Sequence, residues 1–439
     1  MNTFTKNTIH TIFTNLAILV IGLIPSIIIA RVLGPEGKGI YALSTVFVNF
    51  LMVFASLGIC SAVNYYVAHK DFPLPEIFGN TLVITLVVSL FSMAAGAVFI
   101  VLFSGKTISG VPTSYLYLSL FLVPFCLIIL NLGHIFIGLQ KIKQYNSIMI
   151  IKNSLDLLFI FVLLYIFKFG ITGAIVSHIF SVLISSFIVF VLLSRLIGKI
   201  SVRLHIDFIK KISAYGAKAY LNGIINIFSY KADIFLVNFF LNPMQVGFYA
   251  SAAVLAGQLW IVSNAASMAL FPSITGETDE HKRRRFTPFV CRASLLITFI
   301  MVLFFYFLSG WLIPFIYSSV FSPTIKPFQI LLIGVVSLVT WQILSGDLSA
   351  RGKPELNTYI YGSSIVLNII LNIILIPKKG IIGAAWASVF SYTAASIGAL
   401  YIYCRITGNL WTQVILPQKD DFKAYVRIIN NIWRRNDAG

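Results

Sequence analysis

The sequence predicts an all-α integral membrane protein, and three observations lead to this fold class. Of its 439 residues, 58% are hydrophobic and only 10% are charged, whereas soluble domains carry about 25% charged residues. Many apolar runs approach or exceed the ~20 residues that cross a ~30 Å hydrocarbon core. Because backbone groups in lipid need internal hydrogen-bond partners, and barrel strands would be half as long, these runs are predicted to be helices.

The hydropathy pattern predicts about twelve membrane-spanning helices. They cover approximately residues 9–30, 40–67, 78–103, 113–139, 148–168, 170–194, 214–240, 246–272, 288–317, 325–350, 356–376 and 380–404. The first span contains Pro25 and lacks a clear small-residue cleavage site, so we interpret it as a retained helix rather than a signal peptide. All four cysteines fall inside predicted spans without metal or redox spacing, which indicates core packing.

The distribution of basic residues predicts the orientation in the membrane. The N-terminus, the C-terminal tail and every second loop hold about 23 of the 32 Lys and Arg residues. Because cytoplasmic loops are enriched in Lys and Arg, both termini are predicted to be cytoplasmic. The run His281–Arg285 follows the same rule, with contact to anionic lipid headgroups as an addition, and does not indicate nucleic-acid binding.

Three echoes in the sequence indicate an internal duplication. The first echo aligns Leu33, Pro35, Gly39, Tyr41 and Ala42 with Leu241, Pro243, Gly247, Tyr249 and Ala250, 208 residues later. The other echoes pair Gly170 with Gly380, Arg195 with Arg405 and, more weakly, Asn146 with Asn357. Because each copy holds six spans, both copies insert the same way up and are predicted to be related by a pseudo-twofold axis along the membrane normal.

The duplication predicts two six-helix lobes around a central cavity. The predicted parts are an N-terminal lobe (1–195), a cytoplasmic linker (196–213), a C-terminal lobe (214–405) and a basic cytoplasmic tail (406–439). The first echoed segment is predicted to be a tight reversal on the outer face that lets the first two helices pack as a hairpin. Gly34, Gly37 and Gly39 are predicted to supply its backbone freedom.

Polar residues within the predicted spans are the candidate functional residues, because a charge at bilayer depth costs about 2.5 to 3.5 kcal/mol by insertion scales. Six polar residues of the seventh helix fall within about 120° of one another and indicate the wall of a watered cavity. They are Lys218, Asn222, Asn226, Ser229, Tyr230 and Asp233. Asp233 is predicted to be functional or to be paired with water, a cation or another helix, and Lys218 to bind substrate or to snorkel.

Further candidates for substrate binding lie elsewhere in the chain. They are His10, Arg31, Asn49, Asn64, Lys231, Asn368 and Asn372. Arg31 either snorkels at the outer surface or contacts a diphosphate, and Asn368 and Asn372 either bind sugars or join helices.

The acidic residues of the spans divide into coupling candidates and local ion pairs. Asp156, the deep acid of the N-terminal lobe, is a coupling candidate together with Asp233. The spacing of four residues predicts local pairing of Asp347 with Arg351 and of Lys152 with Asp156. The isolated His178 is predicted to pack or to hydrogen-bond between helices.

Several motifs resemble those of polysaccharide (O-antigen type) flippases, which belong to the multidrug/oligosaccharidyl-lipid/polysaccharide exporter superfamily. ARVLGPEGKGIYAL resembles the family signature that closes the first helix. KADIFLVNFFLNPMQVGFYASA resembles the seventh-helix pattern, and GLQKIKQYN resembles the segment after the fourth helix. The resemblance extends over nearly the whole chain in length, span count and loop order.

The resemblance implies a flippase for undecaprenyl-diphosphate-linked oligosaccharide repeat units. It would move them from the cytoplasmic to the outer leaflet of the bacterial plasma (inner) membrane, for assembly of surface polysaccharide such as O-antigen or capsule. The implied partners are the lipid-linked oligosaccharide, membrane lipids and polysaccharide polymerase or assembly proteins, without nucleic acid. No cofactor is expected apart from H⁺ or Na⁺ as a coupling ion.

Two alternatives come from other functional classes. A cation-coupled drug or toxin exporter of the same superfamily would often place an acidic coupling residue in its N-terminal lobe. The first helix here has none, and Asp156 is the only deep acid predicted in that lobe. A membrane glycan polymerase or ligase would need catalytic groups in a sizeable outer loop, whereas every predicted outer loop is short and no catalytic or phosphate-binding motif occurs. The protein is therefore not expected to be an enzyme.

Overall fold

A computed structural model describes residues 3–198, 231–276 and 279–418, together with residues 208, 210–212, 214, 216 and 421. The side chains of residues 3–19 lie outside this description. Throughout the described ranges the regular structure is helical and contains no strand. The predicted all-α class is therefore confirmed.

The helices follow one another with short connections. They are α1 (Thr3–Ser56), α2 (Ile59–His69), α3 (Leu74–Thr107), α4 (Thr113–Leu120), α5 (Leu122–Gly138), α6 (Ile142–Ile160), α7 (Gly170–Ile197), α8 (231–240), α9 (Pro243–Gln258), α10 (Ile261–Thr275), α11 (Glu280–Tyr317), α12 (Ile325–Ala350), α13 (Pro354–Thr407) and α14 (Trp411–Ile415). A π-helical turn, Phe161–Ile166, extends α6, and a 3₁₀ turn, Ser319–Thr324, precedes α12.

Nine helical segments in the described ranges are long and apolar enough to cross a membrane. The segments Val20–Ser56 and Pro354–Thr407 each join two helices through one glycine with a non-helical backbone, Gly34 and Gly380 respectively. These breaks separate the first predicted span from the second and the eleventh from the twelfth. The seventh predicted span, 214–240, lies mostly outside the described residues, so the count of twelve stays a prediction.

Large apolar side chains cover the outside of several of these helices. Leu90 is 66% exposed, Phe91 is 73% exposed and Phe307 is 79% exposed. Such a surface would be unfavourable in water but is favourable against lipid chains. The helices therefore present an apolar surface to a bilayer.

The chain forms two compact units. The first contains Met1–Ser251, Ile313–Thr324 and Ile376–Ile381, and its core is built mainly around α5, where Leu127 and Leu132 are fully buried. The second unit contains Ala252–Leu312, Ile325–Leu375 and Ile382–Gly439. In the second unit, α10 packs along α12. The predicted linker at 196–213 lies mostly outside the described residues, so the predicted lobe boundaries stay a prediction.

The break at Gly34 folds the first helix pair into the predicted hairpin. Gly34 has a φ of 67°, which favours glycine, and Pro35 follows as the first residue of the next helical turn, where its fixed φ is suitable. The Lys38 Nζ atom donates to the carbonyl oxygen of Ser26 at 3.1 Å and to its hydroxyl at 2.7 Å. A straight helix would separate these residues by about 18 Å, so the chain must turn back between them.

The prediction that three glycines supply backbone freedom here is correct only for Gly34. Gly37 and Gly39 lie in regular helix and have no positive φ. They are required by close packing instead, because a Cβ atom at Gly37 would lie 2.6 Å from the Cβ atom of Leu33 and one at Gly39 would lie 1.7 Å from the carbonyl oxygen of Pro243. For Gly39 the prediction missed this because its close neighbour, Pro243, lies in a distant segment and leaves no local signal.

The second echo has the same backbone geometry in both copies. Gly170 and Gly380 both have a φ of 59°, and each begins a helical stretch. These stretches end before Gly198 and Gly408, again 210 residues apart, which have φ values of 79° and 74°. Helix start and helix end therefore repeat together, as an internal duplication predicts.

The third echo lies beside a repeated helix-end motif. The amide of Lys141 donates to the carbonyl of Phe136 at 2.8 Å, and the amide of Lys353 donates to the carbonyl of Leu348 at 3.0 Å. The residue before each lysine has a positive φ, as in the Schellman motif that closes many helices. The α5–α6 and α12–α13 turns are thus equivalent in geometry.

Candidate functional site

The two copies of the first echo contact each other within the first unit. A Cβ atom at Gly39 would lie 1.7 Å from the carbonyl oxygen of Pro243, and one at Gly247 would lie 1.9 Å from the carbonyl oxygen of Pro35. Gly39 aligns with Gly247, and Pro35 aligns with Pro243, so the contact is reciprocal. Two segments related by a twofold axis contact each other in this reciprocal way. We call these four residues the glycine–proline contact.

Asp233 is joined to the helix that makes this contact. It lies on α8 with 5% of its surface exposed, and its Oδ2 atom accepts a hydrogen bond of 2.7 Å from the hydroxyl of Tyr249 on α9. Tyr249 follows Gly247 by two residues. Of the partners predicted for Asp233, the structure provides one on another helix. Lys231, also on α8, is partly exposed.

Asp156 and His178 form a hydrogen-bonded contact between α6 and α7. The Nδ1 atom of His178 lies 3.0 Å from Oδ1 of Asp156, and the two side chains are 20% and 13% exposed. Lys152 lies one helical turn before Asp156, and its carbonyl oxygen accepts a hydrogen bond of 2.7 Å from Ser181. The interhelical hydrogen bond predicted for His178 is confirmed. The π-helical turn of α6 begins five residues after Asp156, and such turns are frequent at functional sites.

Arg31 binds the carboxyl end of α11. Its Nε atom donates to the carbonyl of Ile316 at 2.7 Å, and its terminal amino group donates to the carbonyl of Phe315. The last carbonyls of a helix lack partners within the helix, and a cation there is favourable. Arg31 thus stabilises a helix end in this arrangement, and its predicted contact with a diphosphate stays a prediction.

Asn368 and Asn372 form a buried hydrogen-bonded chain. The amide of Asn372 donates to Oδ1 of Asn368 at 2.9 Å, and the amide of Asn368 donates to the Ser391 hydroxyl at 3.3 Å. Ser391 lies beyond the break at Gly380. The chain therefore connects the two halves of α13, as the helix-joining alternative expects.

The other predicted substrate-binding residues have less structural description. Asn49 on α1 and Asn64 on α2 are partly exposed. The residues Lys218, Asn222 and Asn226, as well as the side chain of His10, lie outside the described residues. Their roles stay predictions.

The ion pair predicted between Asp347 and Arg351 is confirmed, and it belongs to a larger network. The Nε atom of Arg351 contacts Asp347, and another guanidinium nitrogen lies 2.6 Å from Glu280. The hydroxyl of Thr287 donates to Asp347 at 2.5 Å. The sequence could not indicate Glu280 and Thr287 as partners, because they lie on α11, 71 and 60 positions away.

Within the described ranges, no group of three or more His, Cys, Asp or Glu side chains could hold a metal ion. All four cysteines are free thiols.

Comparison with known proteins assigns the family. Residues 4–276 match the family model described as "Polysaccharide biosynthesis protein". The chain belongs to this family. The resemblance to polysaccharide flippases is thereby confirmed at the level of the family.

One relative from this field aligns over most of the chain. The "Putative O-antigen transporter" of Shigella flexneri is 25% identical over 404 residues, which cover 87% of this chain and 93% of the relative.

Two solved transporter structures share the fold. The lipid II flippase MurJ in an inward closed conformation has a TM-score of 0.72 at 16% identity, covering 89% of this chain and 86% of that chain. An inward-facing multidrug resistance transporter of the MATE family, in the MOP superfamily, has a TM-score of 0.72 at 16% identity, covering 89% and 95%. The protein is therefore a multi-pass membrane protein with the fold of MOP-superfamily transporters. These similar proteins are named as transporters or flippases, in line with a function other than catalysis.

Proposed function

We propose that the protein translocates undecaprenyl-diphosphate-linked oligosaccharide repeat units from the cytoplasmic to the outer leaflet of the bacterial plasma membrane. The match of residues 4–276 to the polysaccharide biosynthesis family carries the proposal. A relative named as an O-antigen transporter, aligned over 93% of its length, supports it. Both termini would lie in the cytoplasm, and the product would pass to polysaccharide polymerase or assembly proteins on the other side.

The polar residues of the spans suit such a substrate chemically. A lipid diphosphate carries about two negative charges that must leave one headgroup layer for the other, and cations along a watered groove offset that desolvation. Lys218 and Lys231 would supply this positive charge in the proposed mechanism. Asn222 and Asn226 would offer donors and acceptors to sugar hydroxyl groups.

We assign energy coupling to the Asp156–His178 pair, with H⁺ as the coupling ion. Histidine is a common proton carrier in proteins, and the Nδ1 atom of His178 lies 3.0 Å from the Asp156 carboxylate. Because the pair connects α6 and α7, gain or loss of a proton by the pair would alter a contact between two membrane-spanning helices. Partial exposure of both side chains allows proton exchange.

The substitution Asp156→Asn tests this assignment, since it removes the charge and keeps an oxygen that can accept from His178. We expect export of surface glycan, in cells lacking the native protein, to fall by about tenfold or more, as befits a barrier increase above ~1.4 kcal/mol. Asp71→Asn, at an exposed position outside the spans, is the matched control. Normal export by Asp156→Asn at normal membrane abundance would remove the pair from the mechanism, and a requirement for Na⁺ would replace the ion.

A cation-coupled drug or toxin exporter is the second candidate, favoured by the fold shared with a MATE transporter. Such a protein would bind cationic rather than diphosphate-bearing compounds. Lys218→Ala distinguishes the two functions. Loss of a positive charge weakens the binding of a diphosphate substrate but does not weaken the binding of a cationic one.

A further inference from the structure

The second unit contains an open basic cleft of about 1120 Å³ between the start of α11 and the segment that follows α13. Its basic side chains are Lys282, Arg283, Arg284, Arg285 and Arg292. Among the described lining residues, Asp421 is the carboxylate that opposes them. The run His281–Arg285, noted in the sequence for its charge, is thus one wall of a concave surface.

One end of the cleft is fixed by an ion pair. The guanidinium of Arg292 donates to both carboxylate oxygens of Asp421, at 2.6 and 2.7 Å. Burial alone would raise the pKa of Asp421, but the hydrogen bonds from Arg292 and from the Gln418 amide hold that pKa below its usual range. The carboxylate is therefore ionised at neutral pH, and this pair neutralises itself.

The other basic groups keep an excess of positive charge. Glu280 lies 3.9 Å from Arg283, 3.5 Å from Arg284 and 2.6 Å from Arg351, so one carboxylate is shared by three guanidinium groups. An excess of positive charge on one concave surface favours an anionic ligand.

The chain beside the cleft has the character of a membrane interface. In and next to α14, Leu410 is 63% exposed, Trp411 is 57% exposed and Leu416 is 47% exposed. Exposed tryptophan and leucine next to lysine and arginine are typical of segments that lie at the level of lipid headgroups. The distribution of basic residues assigns this level to the cytoplasmic leaflet.

We propose that the basic cleft binds the phosphate-bearing headgroup of an anionic lipid in the cytoplasmic leaflet. The basic residues bind the phosphate, while the exposed residues of α14 contact the adjoining acyl chains. Bulk phosphatidylglycerol and a polyprenyl phosphate carrier share this chemistry and are the two sources of such a headgroup. The proposal does not depend on which substrate the protein transports.

Native mass spectrometry of the purified full-length chain measures this binding directly. The protein is titrated separately with phosphatidylglycerol, undecaprenyl phosphate and the zwitterionic phosphatidylcholine. The test variant K282Q/R285Q removes two exposed charges of the cleft without touching the Glu280 and Asp421 ion pairs. The control variant K143Q/R195Q removes two exposed charges on the same predicted side of the membrane, outside the cleft.

We expect K282Q/R285Q to lower the affinity for the first bound anionic lipid by about tenfold or more, because two positive charges near the lipid phosphate are lost. K143Q/R195Q should bind within about twofold of the wild type, and all three proteins should have the same thermal midpoint. If K282Q/R285Q loses affinity for phosphatidylglycerol alone, the cleft is a site for bulk lipid. If it loses affinity for undecaprenyl phosphate alone, the cleft is a site for the lipid carrier. Equal binding by the two double variants, or preference for phosphatidylcholine, would overturn the proposal.

Discussion

Gly39→Ala and Gly247→Ala should each separate the two segments that meet at the glycine–proline contact. A Cβ atom at Gly39 would lie 1.7 Å from the Pro243 carbonyl oxygen, and one at Gly247 would lie 1.9 Å from the Pro35 carbonyl oxygen. Real Cβ contacts below 3.0 Å essentially do not occur, so the backbones must move apart by more than about 1 Å. No side-chain rotation can relieve the clash, because the opposing atom belongs to the backbone.

The magnitude follows from the cost of overpacking. Inserting a methyl group into a well-packed contact costs about 1 to 3 kcal/mol, and occasionally more. The population of the closely packed arrangement, relative to arrangements in which the segments are separated, should therefore fall by about 5- to 150-fold. Because the contact is reciprocal, the two substitutions should have similar effects. The double variant should be less than additive, since separation caused by the first methyl group makes room for the second.

Thiol reactivity at a buried position reports that population. Val246 is fully buried beside Gly247, so Val246→Cys in a cysteine-free background should react slowly with a membrane-impermeant thiol reagent in detergent. Gly39→Ala and Gly247→Ala should each accelerate this reaction by about 5- to 150-fold. Gly257→Ala is the matched control on α9, because a Cβ atom there meets nothing within 4 Å. Reaction at the control rate in both test variants would refute the contact.

Two other predictions concern stability and topology. Tyr249→Phe removes the hydroxyl that donates a 2.7 Å hydrogen bond to Asp233. This loss should lower the free energy of unfolding by about 1.5 to 3 kcal/mol. Its thermal midpoint in detergent should fall below that of the exposed control Tyr401→Phe, and equal midpoints would show that the hydrogen bond contributes nothing measurable. Cysteines replacing Arg284 and Glu36, both exposed, should be labelled from the cytoplasmic and the outer side, respectively. Labelling of both from one side would disprove the predicted topology, and exchanged sides would reverse the predicted orientation.

The positions of the helices could be predicted from the sequence because a bilayer imposes strong local constraints. Each apolar run must form a helix, because its backbone N–H and C=O groups need hydrogen-bond partners within the lipid. Glycine followed by proline marks where helices end, as at Gly34 and Pro35. The repeated spacing also indicated which residues would share a geometry, and Gly170 and Gly380 have the same φ. These features depend on short stretches of chain.

The partners of polar side chains could not be predicted, because they come from distant parts of the chain. Lys38 belongs to the segment predicted to be a reversal on the outer face, yet it is only 5% exposed because the hairpin brings it onto Ser26. The hydroxyl that binds Asp233 comes from Tyr249, on a different helix. Arg351 has its predicted partner four residues away and a second partner, Glu280, that only the tertiary fold provides.

Flipping by the purified protein in liposomes tests the central claim most directly. The full-length chain is reconstituted with a fluorescent undecaprenyl-diphosphate-linked oligosaccharide, and a glycosidase outside the vesicles measures how fast labelled headgroups become accessible. The account predicts that the protein accelerates this step above empty liposomes, that an imposed proton gradient accelerates it further, and that Asp156→Asn loses the gradient effect. Accessibility no faster than in empty liposomes, with the same preparation transporting a cationic drug instead, would contradict the proposed function.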